Sequence, residues 1–369
     1  MPVFDSSRKK IIGIVVAKEQ KGSRAAGRPR GAKPDGILRH ANVALFVPNN
    51  GCPHACSFCN QRSITGFQRQ PGPEDVRRAA ETALRSLGPA SKGAEIAFFG
   101  GSFTAVERGY MVSLLEAAAP YVRSGVFAGI RVSTRPDCVG GEILALLRRY
   151  GVKTIELGAQ SMDDAVLARN GRGHTAAQTE RAAAMVREKG FSLGLQMMTG
   201  LAGDTDAGAA ETAKRLAALK PDCVRIYPTL ALKGTPLGAA YLRGEYRPQT
   251  LEQAVSLCAA LLGFFEGRGI PVIRLGLHAS PELERDMLAG PWHPAFRELC
   301  ESRRFLGRMQ RELAAKNAVE GPVRIAVHPA CVSQAVGQKR RNLAELARSG
   351  YRVSVVPDLS VPKGGIRII

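Results

Sequence analysis

The feature that most constrains this chain is an alternation of short apolar runs with longer amphipathic stretches, starting near residue 42. Apolar runs occupy 43–47, 96–99, 130–133, 154–157, 193–197 and 223–227, and Pro48 stops the first. Between them lie helical patterns. Pro73 opens one whose apolar stripe is Val76, Ala79, Ala80, Ala83, Leu84 and Leu87, and Gly88 closes it. Others cover 111–122, 141–150, 175–190, where Thr175 is the cap, and 209–219. Each strand reads as a near-continuous apolar run, the pattern of a parallel sheet covered on both faces. Six units are too few to close an eight-fold barrel. The expected fold is therefore α/β, a partly open (β/α)6 barrel, with its chemistry beyond the carboxyl ends of the strands.

The flanks read differently. Residues 1–38 are expected to be a disordered basic arm, because 22–36 is rich in Gly, Pro and Arg without apolar period. Residues 39–285 carry the barrel rhythm. Residues 286–369 form a basic C-terminal domain, with a helix at 298–316, strands at 323–327 and 352–356, and a helix at 342–348. The net charge is +20, and it is uneven: 1–40 hold +7 and 301–369 hold +8, leaving +5 for the middle. Basic ends on a nearly balanced centre point to a polyanionic partner, RNA first among them, against the plainer alternative of solubility. No apolar run has the roughly 20 residues of a membrane helix, and no signal peptide is evident. The expected location is cytoplasmic, with no membrane association.

Five of the eight cysteines are scattered and suit small buried hydrophobes. The other three stand in Asn50-Gly51-Cys52-Pro53-His54-Ala55-Cys56-Ser57-Phe58-Cys59-Asn60, on the loop after the first strand. Three thiolates at C-x3-C-x2-C spacing can grip one face of a [4Fe–4S] cluster, whose usual protein site supplies four. The fourth iron would then stay open to an exchangeable ligand. The rival is a Cys3His zinc site completed by His54, although structural zinc sites usually pair two separated knuckles.

The spacing, with Phe58 before the last cysteine, resembles the radical SAM superfamily. Other motifs follow in that family's order. Phe98-Phe99-Gly100-Gly101-Ser102 is similar to its glycine-rich turn, where the backbone meets the amino group of S-adenosylmethionine (SAM); glycine permits such an approach. Ser133-Thr134-Arg135-Pro136-Asp137 resembles a third-strand motif of the branch holding the Elongator catalytic subunit and oxygen-independent coproporphyrinogen oxidase, with Ser133 in place of the usual Glu. The segments 156–161, 172–175 and 225–229 also resemble that branch, and the likeness runs from about 42 to 278. It implies SAM contacts from Phe58, Gly100, Gly101, Ser102, Ser133, Arg135, Gln160, Arg172 and Gln196. Gln160 would be a hydrogen-bonding amide, Arg172 a carboxylate clamp, and Gln196 an amide where the relatives have a carboxylate for the ribose. Each has a plainer alternative: Glu156 and Arg135 could pair with each other, His174 could be a cap neighbour, and Gln196 a satisfied core amide.

The resemblance implies one-electron cleavage of SAM to a 5′-deoxyadenosyl radical that takes hydrogen from a substrate, with flavodoxin or ferredoxin as electron donor. The catalytic residue acting on that substrate is not identifiable from the sequence. The tail's strand–helix–loop–helix–strand order resembles a KH domain, with Gly337-Gln338-Lys339-Arg340 where that module has Gly-x-x-Gly. Lys339, Arg340 and Arg341 would be its RNA contacts. About 80 residues follow the barrel, so an acetyltransferase domain like that of the Elongator subunit is not expected. The functional expectation is a radical SAM enzyme modifying RNA, tRNA in particular. The alternatives are an enzyme acting on a small molecule such as a porphyrin, and a non-catalytic Fe–S protein that binds RNA.

Overall fold

The computed structural model describes residues 13–16, 41–48, 52, 55–60 and 69–369. The stretch 22–36 and His54 lie outside the described residues. Eight strands form the main sheet: β1 (Gly13–Val16), β2 (Ala41–Val47), β3 (Glu95–Gly100), β4 (Gly129–Thr134), β5 (Val152–Gln160), β6 (Ser192–Thr199), β7 (Cys223–Pro228) and, after the short β8 (Ala231–Leu232), β9 (Val272–Leu275). They lie side by side in that order with β8 left out. All neighbours from β2 onward pair in parallel, and β1 alone runs antiparallel, on the outer edge of β2.

Two expectations need correction. The barrel has seven parallel strands, not six, curled into a half-barrel. The seventh, β9, is four residues long with Arg274 inside it, so it shows no apolar run. The helix before it, α8 (Leu251–Glu266), is apolar over most of its surface and shows little period. Within the 1–38 stretch read as a disordered arm, Gly13–Val16 pairs with β2. The Ile-Val run there is a better edge strand than its polar flanks suggest.

The helices between strands are α1 (Pro73–Leu87), α2 (Arg108–Arg123), α3 (Gly141–Arg149), α4 (Asp164–Arg169), α5 (Ala176–Glu188) and α6 (Asp206–Ala218), with α7 (Pro236–Leu242) between β8 and α8. The Thr175 hydroxyl accepts from the Gln178 backbone N–H at the start of α5, and the Thr175 N–H donates back to Gln178 Oε1, a capping box. The strands bury one face against these helices: Ile96, Phe98, Ile130, Val132, Ile155 and Leu157 are fully buried in one core with Val76, Leu114 and Leu147. Alternate positions face the lumen. There the strands are polar: Glu95, Arg131, Ser133, Glu156, Gln196 and Arg225. The sheet is thus covered by helices on one face only, which is why β4 and β7 alternate rather than run apolar.

After α9 (Pro281–Asp286) and β10 (Met287–Ala289), the 20-residue helix α10 (Phe296–Ala315) joins two cores. Its Phe296 and Cys300 belong to the barrel core. Its Phe305, Leu306, Met309 and Leu313 belong to a second core with Ile325, Val327, Ala335 and Leu346. The change of core falls inside α10, between Cys300 and Phe305, rather than near 286. The second core lies under β11 (Gly321–Val327), α11 (Val332–Val336), α12 (Arg341–Arg348), β12 (Tyr351–Pro357) and β13 (Ile366–Ile368). β11 is central, parallel to β12 and antiparallel to β13.

Candidate active site

The cysteine loop leaves the carboxyl end of β2 and is held on two sides. Ser57 donates its N–H to the Asn170 carbonyl (3.0 Å) and accepts at its own carbonyl from Leu237 N–H (2.8 Å). Its hydroxyl reaches Asn170 Oδ1 (2.9 Å), and the Asn170 amide donates to the Val166 and Ala202 carbonyls. Asn170 is fully buried, and at Gly171, with φ 62°, an added Cβ would lie 3.0 Å from the Ala55 carbonyl oxygen. The loop is therefore clamped between the end of α4 and the start of α7. Phe58 fills the gap beneath it, against Val166, Met198, Leu201 and Tyr227. Nothing along the chain singles out Asn170; a polar residue before glycine looks like any turn.

Of the three cysteines, Cys56 is buried, Cys59 half-buried and Cys52 exposed. Cys52 Sγ lies 3.8 Å from the hydroxyl of Ser102, which is itself buried. Gly100 and Gly101 close the turn: Gly101 N–H donates to the Val47 carbonyl (2.9 Å), and a Cβ on Gly100 would come within 2.8 Å of that oxygen. Behind Cys56 stands Arg172. One Nη donates to Cys56 Sγ (3.2 Å) and the other to the Gly158 carbonyl (2.6 Å), while Nε has no partner among the described residues.

Arg135 fixes Arg172 in turn, donating to its carbonyl while holding Asp137 through two bonds (2.9 and 2.8 Å). Burial opposes the charge on Asp137, but Arg135 outweighs it and holds the carboxyl below its ordinary range. Arg135 Nη1 has no partner among the described residues. His174 is buried, with Nε2 bonded to the Ala159 carbonyl (3.2 Å) and Nδ1 without a partner among the described residues. Burial first, then Arg172 and Arg135, pull its pKa down to about 4. The ring is neutral, with its proton on Nε2 and a bare acceptor at Nδ1. His174 is thus more than a cap neighbour.

Gln196 Nε2 donates to Gln160 Oε1 (3.1 Å), so the two amides form a pair at the ends of β5 and β6. Gln160 sits at φ 66°, in the left-handed region, beside a register shift between Gly158 and Gln160. That conformation costs about 1 kcal/mol for a non-glycine residue and turns the side chain off the strand's regular course.

Deeper in the lumen, Ser133 Oγ is 3.4 Å from Glu156. Glu156 does not pair with Arg135, one of the readings open in the sequence. It takes Arg131 (2.5 Å) and Arg225 (2.6 and 2.9 Å), and Arg131 also bonds Glu95 (2.7 Å), which accepts from Thr154. Arg135 follows the end of β4 and pairs with Asp137 there. Burial opposes ionisation of Glu156, but Arg225 and Arg131 keep it charged, and the two arginines are held more firmly protonated in return. Charged residues inside strands were the missed signal for this network.

No three His, Cys, Asp or Glu side chains among the described residues converge where one ion could sit. A cubane spreads its thiolates over separate irons, so three cysteines on one loop suit a cluster better than a lone ion. Arg172, which donates to Cys56, and Arg135 and His174 beside it each keep one buried nitrogen without a partner among the described residues: Arg172 Nε, Arg135 Nη1 and His174 Nδ1.

These features meet a direct comparison. Residues 46–216 match the model of the radical SAM superfamily, and residues 221–305 match that of the radical SAM C-terminal domain. The chain belongs to the radical SAM superfamily. The cofactors of that family are a [4Fe–4S] cluster and SAM. Among curated relatives, an uncharacterized protein of Methanocaldococcus jannaschii is 28% identical over 59% of this chain and 65% of its own length. The tRNA uridine(34) acetyltransferase of the same organism is 26% identical over 59% of this chain and 47% of its own. Elongator complex protein 3 of Schizosaccharomyces pombe is 24% identical over 78% and 61%. This radical SAM chain therefore spans between about half and two-thirds of these relatives' lengths. Its fold is similar to that of the archaeal Methanocaldococcus infernus Elp3 lacking its N-terminus, with TM-score 0.54 and 20% identity over 75% of this chain and 63% of that one. Among the described residues, no helix is long and apolar enough to cross a membrane.

Proposed function

We propose that Cys52, Cys56 and Cys59 hold a [4Fe–4S] cluster at which SAM is cleaved reductively, and that the reaction modifies an RNA, tRNA foremost. The observation that carries the first half is the clamped loop. Asn170 and Leu237 fix it over the strand ends, and Arg172 connects Cys56 to the strand-end residues Gly158 and Arg135. Bound there, the reduced cluster would supply one electron to the SAM sulfonium, and the adenosyl fragment released would take hydrogen from the substrate. The chain's own residues orient and neutralise. Gly100, Gly101 and Ser102 offer backbone and hydroxyl to the methionyl end. Arg135 and Arg172 balance its carboxylate, and Gln160 and Gln196 offer amides to the ribose, with Ser133 below them. A low-potential flavodoxin or ferredoxin would deliver the electron.

RNA is supported by two relatives, a tRNA uridine(34) acetyltransferase and Elongator complex protein 3, and by the basic second unit. Its sheet and paired short helices suit a KH-like module. In its helix–helix turn Lys339 and Arg340 stand exposed at φ 52° and 60°, between Gly337 and α12. Strain of this kind gathers at functional turns. Arg341, the third expected RNA contact, reaches back to Glu252 on α8.

The test is anaerobic reconstitution followed by reductant and SAM, reading 5′-deoxyadenosine with and without tRNA. Product that vanishes in the Cys52→Ala, Cys56→Ala, Cys59→Ala triple variant and rises with tRNA is the expected result. Product unaffected by tRNA, with an unchanged nucleoside profile in a deletion strain, would turn the reading to a small-molecule substrate.

A further inference from the structure

The charges of the lumen do not cancel. Glu95 and Glu156 face Arg131 and Arg225, and these four are tied together by the bonds given above. A fifth charged residue, Arg274, stands on β9 in register with Arg225, so their side chains leave the same face of the sheet. Arg274 Nε donates to the Gly276 carbonyl (2.8 Å), and no carboxylate pairs with it among the described residues. Burial first, and Arg225 and Arg297 after Tyr227's opposing effect, weaken its hold on the proton relative to an ordinary arginine. The residue is half-buried.

Aromatic rings stand around its register partner, Arg225. The Phe99 ring lies under the Arg225 guanidinium, 4.8 Å from its centroid, and Phe46 lies 6.2 Å from Phe99 at a 47° tilt. Tyr227, two residues beyond Arg225, is half-buried with its hydroxyl 3.5 Å from Arg225 Nη1. Aromatic rings near a cation that no carboxylate neutralises are how proteins hold single-stranded nucleotides, a ring taking the base and the cation the phosphate. The residues proposed above for SAM lie on or after β3 to β6, whereas Arg274 is on the far edge strand, beyond β7. It is therefore placed to hold the other reactant.

We propose that Arg274 is the anchor for a phosphate of the nucleotide carried into the lumen, which sets the target at hydrogen-transfer range. This deepens the RNA reading and rests on it.

The test titrates fluorescently end-labelled total tRNA with cluster-loaded protein between 50 and 200 mM salt, for the unaltered chain and for R274Q, R274K and R77Q. Losing one phosphate contact should weaken binding by R274Q about tenfold and lower the slope of log affinity against log salt by about 0.7–0.9. R274K should keep the slope and lose several-fold in affinity, because a point charge replaces a planar fork. R77Q removes an exposed arginine already paired with Glu74 and should change neither. If R274Q does not fold, the R274K result decides: affinity equal to that of the unaltered chain overturns the proposal. A folded R274Q with unchanged affinity and slope also overturns it and leaves the RNA reading standing. If the unaltered chain shows no salt-dependent tRNA binding, the RNA reading falls and the proposal with it.

Discussion

The barrel lumen and the C-terminal unit both carry charge, but they use it in opposite ways. In the lumen, Glu95, Arg131 and Glu156 are buried, Arg225 is half-buried, and the four are bound to one another at hydrogen-bond distance. In the C-terminal unit, Lys339, Arg340 and Arg352 are exposed, where ion pairs contribute little to stability. Buried charge constrains geometry, because each member is costly to leave alone. Solvated charge constrains nothing inside the protein and remains free for a partner. The same residue type thus serves as scaffold in one region and as a docking surface in the other.

The comparison breaks most visibly at its buried end. Glu156→Gln leaves Arg225 without a counter-charge and Arg131 with only Glu95. A loss of about 3–5 kcal/mol is expected, read as a shift of the urea midpoint with unchanged slope. A loss under 1 kcal/mol would mean that water relieves the lumen. A neutral polar hub in the other unit should cost less. Asn342 is buried and its amide nitrogen faces the Ser302, Gln334 and Ala335 carbonyls and the Ser302 hydroxyl. Asn342→Ala should cost about 2–3 kcal/mol by the same measurement.

Asp204 sharpens the contrast, being a part-buried carboxylate without a cation. Burial raises its pKa to about 6, and the Thr205 N–H offsets this only in part. The folded value lies above the unfolded one. The stabilisation is therefore complete below about pH 4 and lost as pH rises through 6. Asp204→Asn should gain about 1 kcal/mol at pH 7.5, after allowing for its partial exposure, and nothing at pH 3.5. Thermal melts at the two values check this; an equal gain at both would point to packing instead. The smallest effect belongs to the solvated end. Arg340→Gly relieves a left-handed residue and should stabilise by about 0.5 kcal/mol, while reducing the salt slope of tRNA binding. A steeper slope would mean that close backbone approach, not side-chain charge, holds the RNA.

Where the sequence was legible, local physics decided the outcome. The six strands and the helices between them follow from apolar period and from caps such as Thr175, and the cysteine spacing singled out its loop without help from the fold. β9 was not legible, because Arg274 interrupts a four-residue run. The partners of Glu156 were not legible either: Arg131 and Arg225 lie 25 and 69 residues away and meet only when the sheet curls. Arg172 was expected to clamp a carboxylate. Two of its nitrogens also hold Cys56 and Gly158, and Nε has no partner among the described residues, a division that only the assembled site reveals. Asn170 illustrates the same limit, since nothing in its neighbours along the chain announces that two segments will close around it.

One helix, α10, contributes side chains to both cores. Its first turns cannot be formed while its last turns are frayed without cost to each, so the two units share their heat absorption rather than melting as separate bodies. A calorimetric scan should trace a single endotherm, and protease should find no resistant fragment ending between residues 300 and 305. Whatever docks on the basic unit would in this way stiffen the wall that carries Arg274, because the spar that supports one supports the other.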